Sequence, residues 1–288
     1  MPPSKGQILA ELKTERDGFL ALMSSLSPAD WRKATQLKGW SVHDVAAHLY
    51  GNCAGEFDEA FRRCARGDAS PVIPGDLNIW NEARARAVSD WPPDRLLDAY
   101  KEASAATIAL IDGWNTDLET PVRLAEALLP RPLWLEARIL AVHHWVHGQD
   151  IRKAVGRPGG VTDERMRPVI QSLFDMMPLV FRRDEAGGLC MTVGFELSGP
   201  GGGQWTVDVS DGECRVSLGR PEGAAVTIKG DAWTYYRVGQ GLMSPLVAIL
   251  TRKFVPVGNP LTALRFARLF RTGKAAVNRA ASVEPTLS

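Results

Sequence analysis

Residues 133–155 read LWLEARILAVHHWVHGQDIRKAV, followed by Gly156 and Pro158. The spacing of apolar residues and the Gly–Pro stop predict one long helix. On a wheel of 100° per residue with His143 at zero, His147 falls at about +40°, Glu136 at about +20° and Asp150 at about −20°. Leu135, Ile139, Val142 and Val146 fall between about −40° and −100° and predict the buried stripe. The polar stripe then flanks the core, His144 at about +100° points to the rim, and Trp145 at about 200° lies away from the histidines. His143 and His147, four residues apart on one face, have the spacing by which a helix offers two imidazoles to one metal. The intervening residues HWV lack the glutamate of an HExxH helix.

The chain has five histidines. The two outside this helix, His43 and His48, lie in SVHDVAAHL. Ser41 and Asp44 predict an N-cap pair, and the helix they open is expected to run to about Arg66. His48 is the candidate third ligand. His43 lies about 140° from it and is expected to face solvent or the cap. A single histidine beside an apolar stripe is more often a hydrogen-bonded boundary residue, but confinement of all five to two helices favours a shared site. Three imidazoles leave one position of a tetrahedral zinc open, as a catalytic site requires. Nickel, iron or copper also suit such donors. Metal-bound histidines usually give their other ring N–H to a carboxylate. Asp150 and Asp44 are placed for that, unless the cap uses Asp44.

Length and composition bound the rest. A chain of 288 residues, 45% hydrophobic, makes two domains or one large one. With 34 Lys+Arg against 33 Asp+Glu there is no global field to attract nucleic acid or an anionic membrane. No apolar run is long enough to insert into a membrane. No secretory h-region opens the chain, and the four cysteines have no CxxC spacing, which fits a cytoplasmic protein with reduced thiols. The sequence does not report oligomeric state.

Helical periodicity dominates the first half, through KGQILAELKTERDGFLALMSSL, LNIWNEARARAV and PDRLLDAYKEASAATIALIDGW. After residue 158 the texture changes. VTDERMRPVIQSLFDMMPLVF predicts a helix broken near Pro178. LCMTVGFELSG, GQWTVDVSDG, ECRVSLG and AAVTIKGD then predict antiparallel strands. Helices are expected over DAWTYYRVGQG, Pro245–Arg252 and NPLTALRFARLF, with a last strand in KFVPVG. The expectation is an α+β chain of two domains: a helical bundle over 1–157, an α+β domain with an antiparallel sheet over 158–275, and a flexible tail over 276–288.

GWSVHDVAAHL and HHWVHGQDIRKAVGRP, ahead of a β-rich half, resemble the mycothiol-dependent maleylpyruvate isomerase family. Its N-terminal domain is a DinB-like metal-binding four-helix bundle. SPADWRKATQLKGWSVHDVAAHL resembles the entry to the family's second helix, whose final histidine is a metal ligand and maps to His48. HGQDIR resembles the fourth-helix motif, whose histidine maps to His147. The likeness spans residues from about 10 to 158. One departure stands out: members close to the isomerase carry glutamate four residues before that last histidine, where this chain has His143. A His/His/His set is similar to the DinB-like thiol transferases, leaves the site one unit more positive, and takes away a candidate base. The C-terminal half, with Gly258-Asn259-Pro260 in place of a Gly-Asp-Pro turn, resembles sterol-carrier-protein-like (SCP2-like) domains.

The resemblance implies zinc on His48, His143 and His147, mycothiol as thiol cosubstrate, and a small electrophile. A thiolate that adds to a double bond and leaves after rotation isomerises it, and one that stays gives S-transfer. No catalytic residue is assigned. Trp40, Trp134 and Trp145 are candidates to line the site, though each is more readily core. Arg138 and Arg152 are candidates for acidic substrate groups, though each is more readily a solvated charge. The competing expectation is an SCP2-like binder of a lipid or sterol in which the bundle metal is structural or vestigial. Another alternative is a metal-dependent hydrolase, which would turn over without thiol.

Overall fold

A computed structural model describes residues 2–68, 71–126 and 128–271. They fall into two compact units, one ending at Gly160 and the next beginning at Val161. The tail expected over 276–288 lies outside the described residues, as do residues 272–275.

The first unit is helical. Helices α1 (Lys5–Ser24), α2 (Pro28–Trp31) and α3 (Val42–Gly51) open on reciprocal capping boxes, Ser4 with Gln7, Ser27 with Asp30 and Ser41 with Asp44. In each, two of the unsatisfied N–H groups of a helix start are bonded. Then come α4 (Glu56–Ala65), α5 (Leu77–Ala87) and α6 (Pro93–Asp112), a pair of two-residue strands, β1 (Pro121–Val122) and β2 (Arg131–Pro132), and α7 (Leu133–Val155). Helices α1, α6, α3 and α7 close a ring in which α1 touches α6 and α7, and α3 touches the same two. The single helix expected from Ser41 to about Arg66 is two. Asn52 ends α3 with its N–H on the His48 carbonyl, and Gly55 adopts a left-handed φ of 62° before α4. That conformation costs glycine little and strains any other residue.

Helix α7 has the predicted bounds and ends at Gly156, whose φ is 72°. Its buried flank, however, is not the predicted one. Of the expected stripe only Leu135 is fully buried, whereas Ile139, Val142 and Val146 are half-buried. The deep flank holds Ala137, Leu140, Ala141, His144, Gly148 and Ile151. Ala137 and Ala141 pack in one cluster with Ile8, Leu9 and Leu12 of α1, the main neighbour of α7. Two buried ion pairs tie this helix down. Glu136 accepts from Arg131 at 2.6 Å, which takes it out of the histidine stripe. Arg138, expected in solvent, is 7% exposed and holds both oxygens of Glu11 on α1, at 3.0 and 2.9 Å.

The second unit runs α8 (Asp163–Val180), α9 (Arg183–Ala186), β3 (Met191–Ser198), β4 (Gly203–Ser210), β5 (Glu213–Leu218), β6 (Val226–Asp231), α10 (Ala232–Gly239), α11 (Pro245–Leu250), β7 (Phe254–Gly258) and α12 (Pro260–Arg268). The sheet order is β5-β4-β3-β6-β7. Pairing is antiparallel as expected except at the centre, where β3 and β6 run parallel with Phe195 opposite Ile228. Helix α8 is not broken at Pro178 and ends two residues later at Val180. Phe174 on α8 stacks on Trp205 of β4 and Tyr235 of α10, with centroids 4.4 and 4.5 Å away. Aromatic rings thus fill the space between sheet and helices. A groove of about 690 Å³ beside β6 and β7 is lined by Glu196, Lys229, Asp231, Arg252 and Lys253 among others. Among the described residues, no helix is long and apolar enough to cross a membrane.

Candidate metal centre

Helices α3 and α7 bring His48, His143 and His147 together. One ring nitrogen from each lies within 4.8 Å of the others. The Nε2 atom of His143 is 2.8 Å from Nε2 of His147 and 3.2 Å from Nε2 of His48. Two nitrogens on a tetrahedral zinc, each about 2.0–2.1 Å from it, are about 3.3 Å apart, so this separation fits a shared cation. The site lies at the end of α3, where Val45, Ala46, Ala47 and Leu49 bury the helix and fix the direction of His48.

Burial, reinforced by the charge of neighbouring His147, holds both His48 and His143 well below the ordinary imidazole pKa. Both rings are therefore neutral at physiological pH, the form that ligates metals. Asp150, 3% exposed, places Oδ2 2.9 Å from Nδ1 of His147. A carboxylate only accepts, so the proton sits on Nδ1 and the His147 Nε2 lone pair faces the cluster. The other Asp150 oxygen accepts from Nε2 of Gln36, whose Oε1 accepts from Lys153 Nζ at 2.7 Å. Trp40 packs edge-on against His48, with centroids 5.1 Å apart.

Other candidates lie elsewhere. Asp44 does not serve His48. Its Oδ2 accepts from the N–H and hydroxyl of Ser41 in the α3 cap, at 2.8 and 2.6 Å, and the buried Nδ1 of His48 has no partner. His43 points neither to solvent nor to the cap: its Nε2 donates to the Trp91 carbonyl at 2.8 Å. His144, expected at the rim, is 4% exposed in the core. Its Nδ1 donates to the Leu140 carbonyl at 2.7 Å, and its Nε2 lies 3.9 Å from Cys53 Sγ. Burial lowers the His144 pKa to about 4 and raises that of Cys53 to about 12, so the two form no thiolate–imidazolium pair at neutral pH. Trp145 is core, with its indole N–H on the Gly160 carbonyl, and the Trp134 indole donates to Glu119.

The sequence reading missed two residues. Gln36 lies in the loop before α3. Asn52, 1% exposed, sits four residues after His48, with Nδ2 2.9 Å from His143 Nδ1 and 3.3 Å from His48 Nε2. Asn52 repeats the i, i+4 spacing of the histidine pair, which was the available signal.

Residues 12–152 match the family model described as "Mycothiol maleylpyruvate isomerase N-terminal domain", and residues 182–271 match the "SCP-2 sterol transfer family". Among solved structures, the chain is similar to the crystal structure of the mycothiol-dependent maleylpyruvate isomerase. The TM-score is 0.58 and identity 13%, over 88% of this chain and 93% of that one. A histidine-to-alanine mutant of that enzyme matches over the same shares with a TM-score of 0.57 and 13% identity. At that identity the likeness establishes the fold. No curated protein matches the sequence.

Proposed function

The chain belongs to the mycothiol-dependent maleylpyruvate isomerase family, and from that premise we propose a cytoplasmic, metal-dependent enzyme that uses a low-molecular-weight thiol, mycothiol, on a small electrophile. The observation that carries the proposal is the convergence of three imidazole nitrogens from two helices, with burial holding the His48 and His143 rings neutral. His48, His143 and His147 would hold the cation. Bound there, a divalent cation such as zinc would supply a Lewis acid that keeps a thiol ionised at neutral pH.

The chain's own residues do the rest. Asp150 keeps the His147 proton on Nδ1 and places a compensating negative charge beside the cluster. Gln36, steadied by Lys153, holds Asp150 in that orientation. Trp40 shields one side of His48 from water. The three-residue donor group contains no carboxylate, so no basic oxygen stands among the ligands to move a substrate proton. That favours S-transfer to the electrophile over isomerisation.

The test is elemental analysis of purified protein, followed by cobalt substitution and addition of mycothiol. About one divalent ion per chain, and a change in the cobalt absorption bands with added thiol, are expected. His147→Ala should lose most of the metal and keep its helical circular dichroism, because burial within the bundle supplies most of the stability. Full occupancy in that variant contradicts the ligand assignment, and turnover without thiol transfers the reading to a hydrolase.

A further inference from the structure

We propose that Asn52 is the positioning residue for His143: its side-chain carbonyl accepts the Nδ1–H of that ring and so aims Nε2 at a divalent cation. The inference rests on the metal reading above.

It comes from counting protons on the three rings. A ring that ligates through Nε2 must carry its proton on Nδ1, and a buried Nδ1–H needs an acceptor. Asp150 is that acceptor for His147. For His143, the group at Nδ1 is the Asn52 amide, 2.9 Å away.

The two ends of that amide have the same shape, and a half-turn exchanges them. With Nδ2 toward the ring, as the structure has it, Asn52 donates to Nδ1 and the His143 proton must sit on Nε2. The ring then donates to His147 Nε2, 2.8 Å away, and its lone pair is turned from the cluster. In the same orientation Oδ1 of Asn52 is buried without a partner. With Oδ1 toward the ring, the orphaned acceptor gains the Nδ1–H, and Nε2 presents its lone pair beside those of His48 and His147. One rotation thus moves the misplaced proton and ends the donation from Nδ2 to the His48 Nε2 lone pair, while the amide NH2 takes the buried place that the oxygen leaves.

The backbone holds Asn52 for this role. Its N–H closes α3 on the His48 carbonyl at 3.1 Å, so one residue ends the helix behind one ligand and reaches the ring of another.

The test is zinc and cobalt affinity, measured by competition with a chromophoric chelator, for wild type, Asn52→Leu and Asn52→Asp. Leucine keeps the bulk and removes the acceptor, so affinity should fall about ten- to a hundredfold. Aspartate accepts and does not donate, so affinity should equal or exceed that of wild type. In zinc-loaded wild type, long-range 1H–15N correlations should show His143 as the Nδ1–H tautomer. Wild-type affinity in a folded Asn52→Leu overturns the proposal. So does an Asn52→Asp variant that loses as much as leucine, which would make Asn52 a donor or a packing residue. If the leucine variant fails to fold, the comparison of aspartate with wild type decides alone. Wild type that binds neither ion overturns the metal reading, and this inference with it.

Discussion

Asp150 holds His147 from one turn further along α7, with Oδ2 2.9 Å from Nδ1. The contact sets the proton on the ring's outer nitrogen and leaves the inner one facing His48 and His143. Removing the acceptor frees the ring to take the other tautomer. Asp150→Leu is expected to weaken zinc binding about ten- to a hundredfold. Gln36→Ala, which only loosens Asp150, should weaken it less. Chelator competition on the two variants checks the order, and equal losses would mean that Gln36 contacts the site directly.

His144 gives a pH dependence that can be read in the metal-free protein. Its folded pKa of about 4 lies below the ordinary imidazole value of about 6.5. Between those values the unfolded chain binds a proton that the folded one refuses, so stability rises with pH across that window and is lost as pH falls from 6.5 toward 4. The loss by pH 5 is about 2 kcal/mol from this residue. Urea unfolding of the metal-free protein at pH 8 and pH 5, in wild type and His144→Leu, measures it. The variant should lose the part of the slope that His144 supplies, whatever its absolute stability, and an unchanged slope would place the titration elsewhere.

The two-pronged bond from Arg138 to Glu11 crosses from α7 to α1. Glu11→Ala removes both of these bonds from a guanidinium that is only 7% exposed. The expected cost is roughly 2–3 kcal/mol, at the lower end for buried pairs because Glu11 keeps some solvent contact. Replacing both partners together, Glu11→Leu with Arg138→Met, should recover much of the loss. Urea midpoints for the single and double variants check both statements.

The i, i+4 pair His143 and His147 was legible in the sequence because it depends only on helix geometry. The partner His48 was legible because the chain confines its histidines to two segments. What failed depends on neighbours. The buried flank of α7 is set by where α1 lies, so a wheel that scores hydrophobicity chose Ile139, Val142 and Val146 over the small residues that admit α1. His144 followed from the same error. The parallel pairing of β3 with β6 joins segments separated by β4 and β5, and alternation within a strand carries no record of it. Asp44 is four residues from His48, as Asn52 is, but Ser41 claims its carboxylate first. Gln36 reaches Asp150 across more than a hundred residues, a contact no local pattern announces.

His143 decides the chemistry expected of this chain. As a neutral ligand in the proposed function it would leave the full charge of a divalent cation to be offset by the incoming thiolate and by Asp150 beyond the ligands. A carboxylate at the same position would lower that charge by one unit and place an oxygen base beside the cluster. His143→Glu is therefore expected to keep one metal per chain, to bind mycothiol more weakly, and to gain thiol-dependent isomerisation of maleylpyruvate that wild type lacks. The glutamate side chain reaches about as far as the imidazole and starts from the same turn of α7, four residues before His147. Metal content, thiol titration of the cobalt form, and an absorbance assay with maleylpyruvate measure the three effects on one preparation. If the variant holds metal and thiol and still leaves maleylpyruvate unchanged, the ligand at 143 does not separate the two activities, and the difference must lie in the residues that receive the electrophile.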